Sequence, residues 1–209
     1  MSKSSLSKSS HRWLQEHESD FYVKQAQKEG YRSRAVYKLA QLHERDHLFT
    51  PNMTVIDLGA APGGWSQWAQ RHLKGKVKLF ALDILPMDAL PDVTFIQGDF
   101  TEQAVLDQLL DCIGEQKANL VMSDMSPNIS GMKAVDQPKS MLLAELARDL
   151  AYETLASNGD FLAKVFQGEG FDLFVKELRQ RFRKVVVRKP EASRPRSPEV
   201  YVLAKQFIV

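Results

Sequence analysis

The stretch Asp57-Leu58-Gly59-Ala60-Ala61-Pro62-Gly63-Gly64-Trp65 decides the fold. It stands at a join between two patterns. Before it, Met53 to Leu58 is a short apolar run of strand length. After it, Trp65, Trp68, Ala69 and His72 fall on one helical face. A strand that turns through small residues into a helix opens a βαβ unit, and in open α/β sheets ligands bind outside the carboxyl ends of the strands. Small residues there let the backbone approach a ligand closely. The spacing is not the Gly-x-Gly-x-x-Gly of dinucleotide sites, because position 61 is Ala and Pro62 lacks the N–H that a pyrophosphate would use. The loop therefore points to a nucleoside ligand without a bridging pyrophosphate.

Outward from the loop the chain alternates strand and helix. Val77 to Asp83, Val93 to Gln97, Ala118 to Ser123 and Phe161 to Val165 read as further strands. Val105, Leu109 and Cys112 mark one helix, and Phe171, Phe174, Val175, Leu178 and Phe182 another. Pro138 is placed to start a long helix, with Leu143, Ala147 and Leu150 inward and Asn158-Gly159 as its stop. Lys184 to Arg188 and Val200 to Ala204 are two closing strands with no helix between them, so they should pair antiparallel. Upstream, a helix is expected from about Arg32, capped by Ser33, with Ala35, Leu39 and Leu42 inward until Thr50-Pro51-Asn52 breaks it. The expected architecture is α/β: a mostly parallel seven-stranded sheet, covered on both faces, with an antiparallel C-terminal edge strand.

Residues 1–11 read as a disordered Ser/Lys-rich arm. Residues 12–209 read as one domain with a basic helical extension over 12–50. No apolar run approaches the ~18–20 residues of a membrane span. Cys112 is the only cysteine, which excludes an internal disulfide and fits a reducing, cytoplasmic setting. We expect a monomer.

The net charge of +2 hides a pattern. Residues 1–45 carry nine Lys/Arg against five Asp/Glu, residues 46–175 nine against eighteen, and residues 176–209 ten against three. An acidic middle lies between two basic ends, which would form a polyanion-binding surface if they meet in space.

Two more strand ends carry candidate ligand groups. Asp83 ends the second strand, twenty-four residues after Gly59, where an acid can accept from both hydroxyls of a ribose. Asp99 follows the third strand and could accept from an exocyclic amine, while Phe100 could stack on a base. With Asp57, Gly59 and Pro62 of the first loop, these residues make a nucleoside site in chain order.

Three further stretches stand out: Ser123-Asp124-Met125-Ser126-Pro127-Asn128, Lys164-Val165-Phe166-Gln167-Gly168, and Ser193-Arg194-Pro195-Arg196-Ser197-Pro198-Glu199-Val200-Tyr201. Together with the glycine loop they resemble the FtsJ (RrmJ) family of ribose 2′-O-methyltransferases, from about His11 to Ala204. The resemblance implies the class I, Rossmann-like methyltransferase fold with S-adenosylmethionine as cofactor. It implies as substrate a uridine of 23S large-subunit ribosomal RNA, modified on the assembled 50S subunit. By position, Gly63, Trp65, Asp83, Asp99 and Asp124 match the family's cofactor contacts. Lys38, Asp124, Lys164 and Glu199 match its catalytic tetrad, in which the second lysine is the proton acceptor. Pro195 and Pro198 depart from the pattern and stiffen the segment ahead of Glu199.

The chemistry suits these residue types. Methyl transfer to a ribose hydroxyl is an in-line displacement from an activated donor, so the protein mainly positions two reactants. The hydroxyl must lose a proton during attack, and a lysine can take it when burial and a second cation favour its neutral form. Lys38 is that second cation, and Asp124 and Glu199 can orient the two amines. Each tetrad residue adjoins an apolar run, where an unpaired charge would be costly. The basic ends supply phosphate contacts, with Arg32 and Arg34 near Tyr31 and Tyr37 at one end and Arg194 and Arg196 at the other.

His43-Glu44-Arg45-Asp46-His47 matches the H-E-x-x-H zinc pattern on an expected helix. No third ligand follows at a suitable spacing, since the next Glu is Glu102 and the only later His is His72, so we expect no metal. A nicotinamide-dependent dehydrogenase is disfavoured by the Pro62 loop, and methylation of a protein or small molecule by the basic ends. The remaining alternative, a non-catalytic RNA-binding assembly factor, is disfavoured by a complete tetrad beside a complete cofactor loop.

Overall fold

The computed structural model describes residues 20–208. The expected arm at 1–11 lies outside them. Two helices come first, α1 (Phe21–Glu29) and α2 (Val36–Asp46). Then follow β1 (Met53–Leu58), α3 (Gly64–His72), β2 (Val77–Asp83), β3 (Val93–Gln97), α4 (Gln103–Ile113), β4 (Ala118–Ser123), α5 (Lys133–Thr154), β5 (Leu155–Phe166), α6 (Phe171–Arg181), β6 (Phe182–Arg188) and β7 (Glu199–Phe207).

The strands form one seven-stranded sheet in the order β3-β2-β1-β4-β5-β7-β6. The first five are parallel to one another. The C-terminal strand β7 is antiparallel, as expected, and slots between β5 and β6, so that β6 forms the edge itself. The strand order reverses between β1 and β4, which is where an open α/β sheet holds its ligand.

Apolar strands buried on both faces explain the two cores. One face joins Ile56, Phe80, Val121 and Phe161 to Leu109, Ala147 and Phe174 of α4, α5 and α6. The other joins Val55, Leu79, Met122 and Leu203 to Trp65 and Trp68 of α3 and to Val36, Leu39 and Leu42 of α2. The N-terminal extension is therefore part of the core, because one apolar stripe of α2 has the sheet and α3 to cover it.

Four local expectations change. Ser33 does not cap α2: the helix starts after Ala35 without a side-chain cap, and the Ser33 hydroxyl fills the space beside Gly64. On α4 the inward residues are Leu109 and Ile113, one turn apart, while Cys112 is exposed. Pro138 lies inside α5 rather than at its start. Its ring costs the bond to the Ala134 carbonyl near the helix start, where that residue is exposed to water. Asn158-Gly159 does not end α5; the pair sits in β5, where the register with β4 shifts and Asn158 turns to φ 63°.

Candidate active site

Register brings the strand ends together. Leu58 pairs with Leu82 and with Ser123, and Asp83 with Gln97. The loops after β1, β2, β3 and β4 are therefore neighbours. Gly59 and Gly63 adopt φ of 72° and 99°, in the left-handed region. A Cβ on Gly59 would run into the side chain and backbone of Met125, so glycine is what lets this loop close against the end of β4. Ala61 N donates to Asp83 Oδ2 at 2.9 Å and Leu85 N to Oδ1 at 2.8 Å. Asp99 Oδ1 accepts from Thr101 N and Oγ1 at 2.9 and 2.7 Å.

Both carboxylates are thus aimed by the strand-end loops, Asp83 by those after β1 and β2 and Asp99 by its own, and keep lone pairs for a ligand. No side chain caps the start of α3. Its first N–H groups suit the carboxylate tail of an amino-acid-bearing nucleoside. Ile84 and Leu85, 66% and 58% exposed, and half-buried Phe100 offer apolar faces beside Asp83 and Asp99. The apolar pair directly after a strand-ending acid was the available signal for Ile84 and Leu85. These loops fit an adenosine-type cofactor.

The side chains of two expected contacts turn away from the loop surface. Asp57 is buried behind the loop, where Ser66 Oγ donates to its Oδ2 at 2.7 Å and burial pushes its carboxyl up to about 7. Its side chain ties the end of β1 to α3 through Ser66. Trp65 is also buried: its Nε1 donates to Ala35 O at 2.9 Å, and its ring lies 5.9 Å from that of Tyr201. The indole ties α3 to the N-terminal extension, so only the Trp65 backbone N–H belongs to the loop.

On the other side of β4 the charges are carried by side chains. The pairing of Ser123 with Ala163 sets Asp124 beside Lys164, and Lys164 pairs with Tyr201 across the antiparallel ladder. Lys164 Nζ lies 3.0 Å from Asp124 Oδ1 and donates to Asp124 O at 2.6 Å. Tyr201 Oη donates to the same Oδ1 at 2.6 Å. Lys38 Nζ, from α2, lies 2.7 Å from Glu199 Oε1 and 5.7 Å from the Tyr201 ring centre. Burial alone would raise the Asp124 carboxyl, but the Lys164 and Lys38 ammoniums and the Tyr201 hydroxyl hold it below the usual carboxylate range. Burial works the same way on Glu199, and Lys38 outweighs it. Tyr201 itself is held protonated, by burial and then by the Asp124 and Glu199 charges. Its place was open to a period-2 reading of β7, since it follows Glu199 by two residues and shares its face.

Above these pairs opens a cleft of about 1170 Å³. Lys38, Lys164 and Glu199 line it, together with Arg34, Arg194 and Arg196 from the two basic ends. The ends therefore meet at the acidic middle. Arg34 is held by Asp20 and by the Ala192 carbonyl, and Arg194 Nη2 lies 3.8 Å from the same Asp20. Lys189 Nζ donates to the carbonyls of Pro195 and Ser197, and Gln167 N donates to that of Pro198, which fixes the proline-bearing segment.

Arg32 is a correction to the expected RNA-facing set. Its guanidinium donates to the carbonyls of Pro62, Asp88 and Ala89, clamping the glycine loop to the segment after β2. Arg188 is likewise engaged, as a bidentate partner of Asp46.

The H-E-x-x-H stretch runs off the end of its helix. His47 is the C-cap residue at φ 51°, out of helical phase with His43. His43 Nδ1 accepts from Phe49 N, and its ring packs against Trp68 and His72.

A mostly parallel sheet with antiparallel C-terminal strands and a nucleoside-type loop set at the β1–β4 reversal defines a class I methyltransferase. Residues 31–207 match the FtsJ-like methyltransferase family, and the chain belongs to it. A protein of Chromohalobacter salexigens named Ribosomal RNA large subunit methyltransferase E is 61% identical over 99% of both chains. A protein of the same name from Pseudomonas fluorescens is 59% identical over 96% of both. Among solved structures, a Plasmodium falciparum protein described as a ribosomal RNA methyltransferase superposes with a TM-score of 0.77 at 28% identity, covering 85% of this chain and 98% of its own.

Proposed function

We propose that this chain methylates the ribose 2′-hydroxyl of a uridine in 23S ribosomal RNA, on the assembled 50S subunit, with Lys164 as proton acceptor. The observation that carries this reading is the nearly buried Lys164. Its amine is gripped by both the side chain and the backbone of Asp124, at the floor of a cation-walled cleft beside the cofactor loops. The names of the relatives support the RNA substrate.

S-adenosylmethionine supplies a methyl group already activated on a positively charged sulfur. Asp83 would accept from its ribose hydroxyls, Asp99 from its amine, and the Gly63–Trp65 backbone would receive its carboxylate. Lys164 Nζ, in its neutral form, would take the proton as the 2′-oxygen bonds to the methyl carbon and the methyl–sulfur bond breaks, leaving a neutral thioether, a contribution of about 10²–10⁴ in rate. Asp124 and Tyr201 fix the direction of that amine. Lys38, locked to Glu199, places a cation beside the attacking oxygen, where negative charge develops. Arg34, Arg194 and Arg196 hold the phosphates. A reaction on ribosomal subunits belongs to the cytoplasm.

The test is transfer of radiolabelled methyl from S-adenosylmethionine to large subunits that lack the modification, with free 23S RNA as the comparison. Label in a uridine ribose, lost in Lys164→Ala, is the expected result. Full activity of Lys164→Ala overturns the base assignment, and label only in free RNA overturns the assembled-subunit substrate.

A further inference from the structure

The loop between β4 and α5 holds an apolar side chain out over the cleft. Ile129 is 59% exposed and lines the cleft between Ser126 and Gly131. Its setting is not a frayed one. Asp136, in the first turn of α5 and 6% exposed, accepts from Ser130 N, Ser130 Oγ and Gly131 N at 2.8, 2.7 and 2.9 Å. Met132 N in turn donates to Ser130 Oγ at 3.2 Å. The residues directly after Ile129 are thus pinned to the helix.

Other elements bring most of the cleft's charge, although Lys133 follows Ile129 on the same segment. Arg34, Arg194 and Arg196 line the cleft beside the Lys38–Glu199 and Lys164 floor. A cleft with an apolar lip, a cationic wall and a proton-accepting floor matches the three parts of a nucleotide: base, phosphate and ribose. The base is attached one carbon from the 2′-hydroxyl, so a ribose seated at Lys164 must send its base to one side of the floor. Arg34 and Arg194 gather at Asp20, on elements other than the β4–α5 loop, which leaves the Ile129 lip for the base.

We propose that Ile129 is the platform on which the base of the target nucleotide rests once it is turned out of the RNA. The inference rests on the RNA reading above and adds a residue to it. A branched aliphatic surface contacts the face of a base and makes no hydrogen bonds to its edges. Ile129 therefore positions the nucleotide without reading its identity, as stacking surfaces do in other single-strand sites.

The experiment measures kcat and KM for unmodified large ribosomal subunits with the wild-type chain and Ile129→Ser, Ile129→Phe, Met132→Ser and Arg196→Ala. Calorimetric titration with S-adenosylmethionine monitors folding of each variant. Ile129→Ser should raise KM about tenfold, the factor expected for losing a modest contact with a base. Ile129→Phe should restore it, because a ring is a better platform. Met132→Ser removes an equally exposed apolar side chain that does not line the cleft, and should change nothing. Raising the salt concentration should weaken Ile129→Ser and the wild type in parallel, whereas Arg196→Ala should show a shallower dependence. Wild-type kinetics in Ile129→Ser, or equal damage from serine and phenylalanine, overturns the platform while leaving the RNA reading intact. Failure of the wild-type chain to label ribosomal RNA overturns that reading and the platform with it.

Discussion

The two ends of the sheet's carboxyl edge hold their charges in different ways. Between β1 and β3, Asp83 and Asp99 are fixed by groups of the strand-end loops, chiefly backbone N–H, and keep oxygen lone pairs free. Between β4 and β7, Lys164 and Asp124, and Lys38 and Glu199, are fixed mainly by each other and lie largely buried. A loop-held carboxylate is ready to bind whatever arrives. A buried ion pair is different, because removing one partner strands the other in a poor environment. The first arrangement suits a ligand that comes and goes. The second suits groups that must keep one geometry through a reaction.

Breaking the second arrangement should give the largest effects. Lys164→Arg keeps the charge but cannot release its proton, so single-turnover methyl transfer should fall by about 10²–10⁴ while cofactor binding by calorimetry is kept. Transfer at the wild-type rate would remove Lys164 as the base. Lys38→Met and Glu199→Gln should each lower stability, by up to about 3 kcal/mol in urea unfolding, and the double variant should lose less than the two losses combined.

Asp57 is a buried carboxylate that accepts from the Ser66 hydroxyl and has no cation paired with it among the described residues. Its folded value of about 7 lies above the ordinary 3.8, so the folded state keeps a proton that the unfolded state releases. Its contribution to stability is fully present below 3.8 and is lost as pH rises to about 7. Asp57→Asn should remove that slope, which is at most about 1.4 kcal/mol per pH unit. Thermal unfolding of both proteins across this range is the measurement.

On the loop-held side the effects should be confined to binding. Asp83→Ala should weaken S-adenosylmethionine about tenfold, as expected for losing a charged hydrogen-bond acceptor, and leave RNA affinity unchanged. Arg32→Ala should be smallest, lowering Tm by about 2–4 °C without altering the salt dependence of RNA binding. A shallower salt dependence would return Arg32 to the RNA-facing set.

The order of the strands and the identity of the loops were legible because strand–helix alternation and small residues at strand ends are local patterns. What a side chain does at a given position was less so. Trp65 adjoins the glycine loop, but an indole beside a loop can turn toward the ligand or into the core, and here the Ala35 carbonyl draws it inward. Arg32 and Arg34 are two residues apart and look alike. One finds three loop carbonyls and the other faces the cleft beside Asp20. The helix limits at Ser33, Pro138 and Asn158 depended on partners distant in sequence, such as Gly64 and the β4 ladder.

The antiparallel course of β7 has a consequence in time. It begins at Glu199 and pairs that residue with Phe166, so the strand supplying Glu199 and Tyr201 is synthesised after every other described element. Until it enters, β5 presents an open edge and Asp124 lacks the Tyr201 hydroxyl. In a growing chain the contacts among the loops after β1, β2 and β3 need nothing from β7, whereas the Asp124–Tyr201 and Lys38–Glu199 contacts wait for this last strand.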